Sequence, residues 1–164
     1  MANIVNVQPT IKWTGRQNRR HFLDWLVKEN NITIMAEVGV RDGRTTFHLL
    51  DQNPNLRIFA IDKSVKGFYN NNISEKYKDR LIAIEAISID GAQHIKNKSL
   101  DLVFIDADHS YNWVKKDIDA YKPKIKPGGY LTGHDIDYTG VNKAVNECVK
   151  HYDIGPNNVW FTKI

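Results

Sequence analysis

ITIMAEVGVRDGRTTFHLLDQNPNLRIFAID, residues 32–62, compresses a strand, a helix and a second strand into one run of sequence. Residues 32–40 are mostly apolar, the pattern of a strand buried on both faces. Gly39 and Gly43 punctuate the turn that follows. TTFHLLDQ (45–52) has helical spacing and stops before Pro54. Residues 56–62 are strand-like again. Two such strands joined through a helix lie parallel, with a right-handed crossover.

The alternation continues in both directions. Upstream, Thr14-Gly15-Arg16-Gln17 has the form of a capping box. It precedes HFLDWLVKEN, in which Phe22, Leu23, Leu26 and Val27 share one helical face, and Asn30-Asn31 closes that helix. Downstream come a weak helical stretch over 65–77, the strand RLIAIEA (80–86) and a short helix around Gly91–Lys96. The strand LDLVFIDA (100–107) leads to a helix over Tyr111–Lys122, ended by Pro123 or Pro127. Gly128-Gly129 then turns into YLTGHD, a helix spans Val141–His151, and HYDIGPNNVWFTKI reads as a terminal hairpin. Five strands alternating with helices predict an α/β, doubly wound parallel sheet.

Composition bounds the function. The 164 residues hold 23 Lys and Arg against 19 Asp and Glu, a net charge of +4. Forty-one per cent are hydrophobic, an ordinary globular mix for one domain over residues 1–164, with 1–30 as an N-terminal segment and first helix. Cys148 is the one cysteine, which excludes a disulfide framework and a cysteine zinc cluster. No apolar run reaches the roughly 20 residues of a membrane span, and MANIVNVQPT lacks a secretory layout. A reduced, cytoplasmic protein is expected. The basic residues are scattered rather than clustered, which disfavours nucleic acid as the partner; Lys12, Arg16, Arg19 and Arg20 are the nearest candidates for a basic strip.

Ligands of such sheets lie at the carboxyl ends of the strands. The first exit, EVGVRDG, reads acidic-x-Gly-x-x-x-Gly from Glu37 through Gly39 to Gly43, and feeds a helix N-terminus suited to an anionic group. Arg41 stands where a dinucleotide loop wants glycine, which weakens a nicotinamide reading. The second exit ends in Asp62, which can take ribose hydroxyls or cap a helix. The third offers Ala86, Ile87 and Ser88 as a wall for an adenine ring, with Asp90 as a helix cap. The fourth, FIDADHSY, crowds Asp106, Asp108, His109 and Tyr111, and GHD adds His134 and Asp135 from the neighbouring strand. Like charges crowded together call for a cation or hydrogen-bond donors. Asp106 and Asp135 suit a Mg²⁺-type oxygen site or a metal-free acid–base pair. His109 is the candidate base, since a neutral imidazole can take a proton from a hydroxyl.

EVGVRDGRTT, AIDKS, LDLVFIDADHSY and IKPGGYLTGHD together resemble the class I S-adenosylmethionine-dependent methyltransferases. Within them the chain is most similar to the small-molecule and sugar O-methyltransferase-like group with a D-x-D-H-x-Y signature. The resemblance covers residue 14 to the end. It implies a minimal Rossmann-like, mostly parallel seven-stranded sheet of order 3-2-1-4-5-7-6 with strand 7 antiparallel and no large cap. It implies S-adenosyl-L-methionine as cofactor, with Glu37, Gly39 and Gly43 under its methionine part, Asp62 on its ribose, Ile87 and Ser88 at its adenine, and Asp106 at its amino group or at a metal. In metal-dependent relatives the strand-4 aspartate and two adjacent residues after strand 5 hold a divalent ion. Asp106 and Asp135 match two of these positions, the third is Ile136, and Asp137 is one step late.

The resemblance also implies His109 as base, with Asp106 or Asp135 orienting it or binding Mg²⁺. Tyr111, Trp113, His134 and Trp13 are the candidate lining of the acceptor pocket. The acceptor expected is a small molecule or a glycan. With no long insert, the pocket stands open or is completed by a second copy in a homo-oligomer. Two other readings remain: a nucleic-acid methyltransferase, and a non-catalytic protein that binds the same cofactor.

Overall fold

The computed structural model describes Gly15 and residues 18–164. Seven strands form one sheet: β1 (Ile34–Val38), β2 (Arg57–Asp62), β3 (Leu81–Glu85), β4 (Leu100–Ile105), β5 (Ile125–Gly133), β6 (Asp153–Ile154) and β7 (Trp160–Lys163). Their order is β3-β2-β1-β4-β5-β7-β6, as the family resemblance implies. β1 to β5 run parallel, and β7 is antiparallel to both β5 and β6.

The helices are α1 (Arg19–Glu29), α2 (Arg44–Gln52), α3 (Asn71–Lys76), α4 (Ser88–Gly91), α5 (Tyr111–Tyr121) and α6 (Thr139–Cys148). Successive strand side chains point to opposite faces, which sorts the core into two layers. Met35, Leu102 and Phe104 pack under Leu23 and Leu26 of α1 and Leu49 and Leu50 of α2. Ala36, Val103 and Ile105 pack under Val114 and Ile118 of α5 and Val141 and Val145 of α6. Both faces are therefore covered, which is why the inner strands carry apolar residues without alternation. Among the described residues, no helix is long and apolar enough to cross a membrane.

Several boundaries differ from the sequence expectation. The first helix is capped by Asn18, whose Oδ1 accepts from the Arg20 N–H at 2.9 Å, so the capping box at Thr14–Gln17 does not start it; Thr14, Arg16 and Gln17 lie outside the described residues. The 65–77 stretch splits into a 3₁₀ turn, Val65–Gly67, and α3, because Asn70 caps a fresh start through the Ile73 N–H. α4 begins at Ser88 rather than Gly91. α5 ends at Tyr121, just before Pro123, as expected. Pro123 sits in the first turn of a 3₁₀ segment, Lys122–Lys124, where its missing N–H costs nothing. β5 runs through Gly128-Gly129, with a register shift between the Leu100–Ile125 and Leu102–Tyr130 pairs. α6 covers 139–148 rather than 141–151. The tail is a hairpin around a 3₁₀ turn, Pro156–Asn158, with β6 only two residues long.

Candidate active site

The sheet order reverses between β1 and β4, and the strand ends around that point open onto a cleft of about 630 Å³. Glu37, Gly39, Asp62, Ile87, Ser88, Asp106, His109, Trp113 and Asp135 all line it. A volume of this size is in the range of small-ligand sites.

The two glycines after β1 are demanded by close approach. Gly39 has φ +88°, and a Cβ there would lie 2.3 Å from the Asp106 carbonyl oxygen, so the exits of β1 and β4 touch through their backbones. Gly43 has φ +77° and caps α2, where a Cβ would strike the Phe47 ring. Gly43 does not itself line the cleft, but Arg44 and Thr45, the first two residues of α2, do. The free N–H groups of that helix end favour a negative ligand group.

Glu37 is buried, and the Thr46 hydroxyl donates to its carboxylate. Burial pushes its carboxyl up to about 8; Thr46 and Arg19 oppose the rise, and Asp106 and Asp62 add to it. Asp62 behaves oppositely. Burial would raise it, but the backbone N–H groups of Arg41, Ser64 and Val40 outweigh that and hold it below the usual carboxylate range. Oδ2 accepts from Val40 and Arg41, both at 2.8 Å, and Oδ1 accepts from Ser64 at 3.0 Å. Asp62 therefore shapes the β1 loop and the turn after β2 together. With two acceptor positions per oxygen, only Oδ1 keeps one for a ligand hydroxyl.

Ile87, 39 % exposed, and Ser88 form the far wall. The Tyr121 hydroxyl braces it, donating to the Ser88 carbonyl at 2.7 Å. Asp90 does not cap α4, whose cap residue is Ile87. Behind this wall Asp117 is fully buried, and neither carboxyl oxygen has a hydrogen-bond partner of good geometry among the described residues. Burial pushes its carboxyl up to about 6, with the nearby Ser88 hydroxyl opposing.

The polar turn after β4 resolves into separate roles. Asp108 Oδ1 accepts from the Ser110 N–H at 2.7 Å and so holds the turn itself. His109 Nε2 lies 2.7 Å from Asp135 Oδ2. His134 Nδ1 is 2.9 Å from Asp135 Oδ1 and 3.5 Å from Asp106 Oδ1. Burial lowers the His134 imidazole, but Asp106 and Asp135 more than reverse this, so it titrates above its ordinary value. Arg19, at the start of α1, completes the array, with one guanidinium nitrogen 2.9 Å from Asp106 Oδ2 and 3.1 Å from His134 Nδ1. A protonated Nδ1 donates to Asp135, while an unprotonated one accepts from Arg19.

Two of the four candidates for the acceptor pocket, Tyr111 and His134, do not line the cleft. Tyr111 stands on α5, and its hydroxyl donates to Glu147 of α6 at 2.5 Å. Trp13 lies outside the described residues. His134 is nearly buried beneath the cleft rather than on its wall. Trp113 lines the cleft, with Lys116 Nζ 4.7 Å over its ring. Sequence reasoning missed Arg19 as a site residue and missed Tyr138, whose ring packs 4.9 Å from that of His109. Arg19, a candidate for the basic strip, turns inward to Asp106; Lys12 and Arg16 of that strip lie outside the described residues.

The donor atoms of Asp106, His134 and Asp135 lie within 4.8 Å of one another, so the set is right in kind for a divalent cation. Its arrangement is not. The Arg19 guanidinium already contacts Asp106 and His134, and the two histidines engage both oxygens of Asp135. Ile136 is 4 % exposed and packs into the core, adding no donor. The residues as placed do not fit a metal.

Comparison with known proteins bears on the fold and the family. The sequence profile of the family described as methyltransferase domain matches residues 36–136, more than half of the chain. No curated protein sequence matches. Among solved structures, a Staphylococcus aureus protein with a provisional assignment as a caffeoyl-CoA O-methyltransferase superimposes with a TM-score of 0.75 at 15 % identity, covering 93 % of this chain and 85 % of its own. Rv0187 from MTB, solved with cofactor bound, gives 0.67 at 17 % identity, covering 94 % and 82 %. Apo CalS11, a TDP-rhamnose 3'-O-methyltransferase of calicheamicin biosynthesis, gives 0.65 at 18 % identity, covering 90 % and 81 %. At these identities the superpositions establish a shared fold, and the profile match establishes the family: this chain belongs to the methyltransferase domain family.

Proposed function

We propose that the chain transfers a methyl group from S-adenosylmethionine to a hydroxyl of a small-molecule or sugar acceptor. The observation that carries this reading is the His109–Asp135 pair opening onto the same cleft as the glycine turn and Asp62. S-adenosylmethionine, when bound, supplies an electrophilic methyl on its own leaving group. The protein's remaining task is to align donor and acceptor and to remove a proton.

The residues divide that task. Gly39 lets the β1 loop press onto the β4 exit, and the start of α2 offers N–H groups to a carboxylate. Asp62 Oδ1 accepts one ribose hydroxyl. Ile87 provides an apolar face for the base. Glu37 is held neutral by burial, and a cationic ligand group beside it favours its ionised form.

At the other end, His109 donates through Nε2 to Asp135, which leaves Nδ1 to take the acceptor's proton. Asp135 then stabilises the imidazolium that forms, as an orienting carboxylate does beside a catalytic histidine. A caffeoyl-CoA and a sugar acceptor in the names of two structural neighbours support the hydroxyl as the acceptor group.

The reading is tested by incubating the protein with methyl-labelled S-adenosylmethionine and a panel of phenols, catechols and nucleotide sugars. Label appearing as an O-methyl product, and lost in His109→Ala, is the expected result. Label confined to nitrogen of a product, or transferred equally well by His109→Ala, contradicts it.

A further inference from the structure

The cleft holds a cation of its own. Arg19 reaches it from the first turn of α1, a helix fixed to the core through Phe22, Leu23 and Leu26. One guanidinium nitrogen bridges Asp106 and His134, at 2.9 and 3.1 Å. Those two side chains, with Asp135, are the three whose donor atoms converge within 4.8 Å. We propose that Arg19 is the resident counter-cation of this site, standing in the place a divalent metal would take and making methyl transfer here independent of metal. This rests on reading the cleft as a methyl-transfer site.

Three arguments support the assignment. A guanidinium keeps its charge at every working pH, so Asp106 is neutralised permanently without a bound ion. A divalent ion bound to Asp106 and His134 would touch that guanidinium, and two positive groups at such a distance in a half-buried cleft repel strongly. Arg19 and a metal therefore exclude one another. Finally, the bridging nitrogen uses at most two of the five N–H groups of the guanidinium. The other three have no partner among the described residues, while the side chain is one-third exposed and lines the cleft. They are open to the acceptor oxygen as it loses its proton to His109, the electrophilic help a metal would otherwise give. Arg19 is thus a positioning residue for Asp106 and a direct contact for the acceptor.

The test is Mn²⁺ titration at pH 8, read by the electron paramagnetic resonance signal of free Mn²⁺. Samples are the wild type, Arg19→Ala, Arg19→Met, Arg19→Lys and the double variant Arg19→Ala with Asp106→Asn. The wild type and Arg19→Lys are expected to leave Mn²⁺ free into the millimolar range. Arg19→Ala and Arg19→Met are expected to bind it about tenfold or more tighter. The double variant is expected to lose that gain. A wild type that binds Mn²⁺ at micromolar concentration overturns the proposal. So does a folded Arg19→Ala or Arg19→Met that gains no affinity. Arg19→Met keeps the side-chain volume and guards against a failure of Arg19→Ala to fold. Calorimetry with S-adenosylhomocysteine on the same wild-type sample reads the cofactor site separately. Exclusion of Mn²⁺ without binding of S-adenosylhomocysteine contradicts the methyl-transfer reading alone.

Discussion

His109 Nε2 and Asp135 Oδ2 stand 2.7 Å apart, joining the turn after β4 to the turn after β5 at the mouth of the cleft. The contact fixes which imidazole nitrogen faces the carboxylate and which can accept a proton. Replacing His109 with Ala should leave cofactor affinity unchanged and lower turnover by about 10²–10⁴-fold, the usual worth of a positioned base. Single-turnover kinetics beside calorimetry separate the two effects. Unchanged turnover would remove His109 as the base.

Asp62→Ala removes three backbone hydrogen bonds as well as the group assigned to the ribose. Hydrogen bonds to a charged partner are worth about 1.5–3 kcal/mol each. Affinity for S-adenosylhomocysteine should therefore fall by about tenfold or more, and thermal stability should fall with it. Calorimetry that finds affinity intact would overturn the ribose assignment.

Gly39→Ala places a methyl 2.3 Å from the Asp106 carbonyl oxygen at a φ of +88°. Nothing soft lies in the way; the obstacle is backbone. The substitution should destabilise the fold by more than about 1 kcal/mol and weaken cofactor binding together. Denaturant unfolding checks the first, and a midpoint equal to wild type would show that the β1 and β4 exits can separate at no cost.

Two buried acids give the protein a pH signature. Glu37 keeps its proton to about 8 in the fold, chiefly because it is buried, against an ordinary value of 4.5. Between those values the folded state holds a proton that the unfolded chain has released, so stability falls as pH rises. The contribution is complete below about pH 4.5 and gone once the pH passes about 8. Asp117, raised by burial to about 6 from 3.8, acts in the same direction over a lower window. Melting curves from pH 5 to 8 should show Glu37→Gln with a flatter decline than wild type. Parallel slopes for the two proteins would show that Glu37 is ionised throughout.

Much of the sheet could be read before any coordinates, because its signal is local. Residues 32–40, 56–62 and 100–107 are apolar runs bounded by polar residues, Asn31 and Arg41, Asn55 and Lys63, Ser99 and Asp108, and each holds a parallel strand. The order of the strands and the antiparallel β7 came from family likeness, since register between distant strands leaves little trace in a single sequence. Helix ends were less readable. Thr14 and Asn18 are both capping residue types, and only the Asn18–Arg20 contact shows which one starts α1. The weak periodicity over 65–77 concealed two short pieces separated by a new cap at Asn70.

The site divides in the same way. Side chains that leave a strand end, such as Glu37, Asp62, Asp106 and Asp135, were placed by their position alone. Arg19 was not, because its partners Asp106 and His134 are brought to it only by the docking of α1. Tyr111 belongs to the signature that identified the cleft, yet as the first residue of α5 its hydroxyl goes to Glu147 of α6. Tyr138, which carries no signature, takes the place beside the His109 ring.

The central claim is that this cleft binds S-adenosylmethionine. Titration calorimetry of the purified chain with S-adenosylhomocysteine, the demethylated product, tests it most directly. The account predicts saturable one-to-one binding with a Kd in the micromolar range, weakened by Asp62→Ala. No detectable heat and no competition by S-adenosylmethionine at millimolar concentration would contradict it.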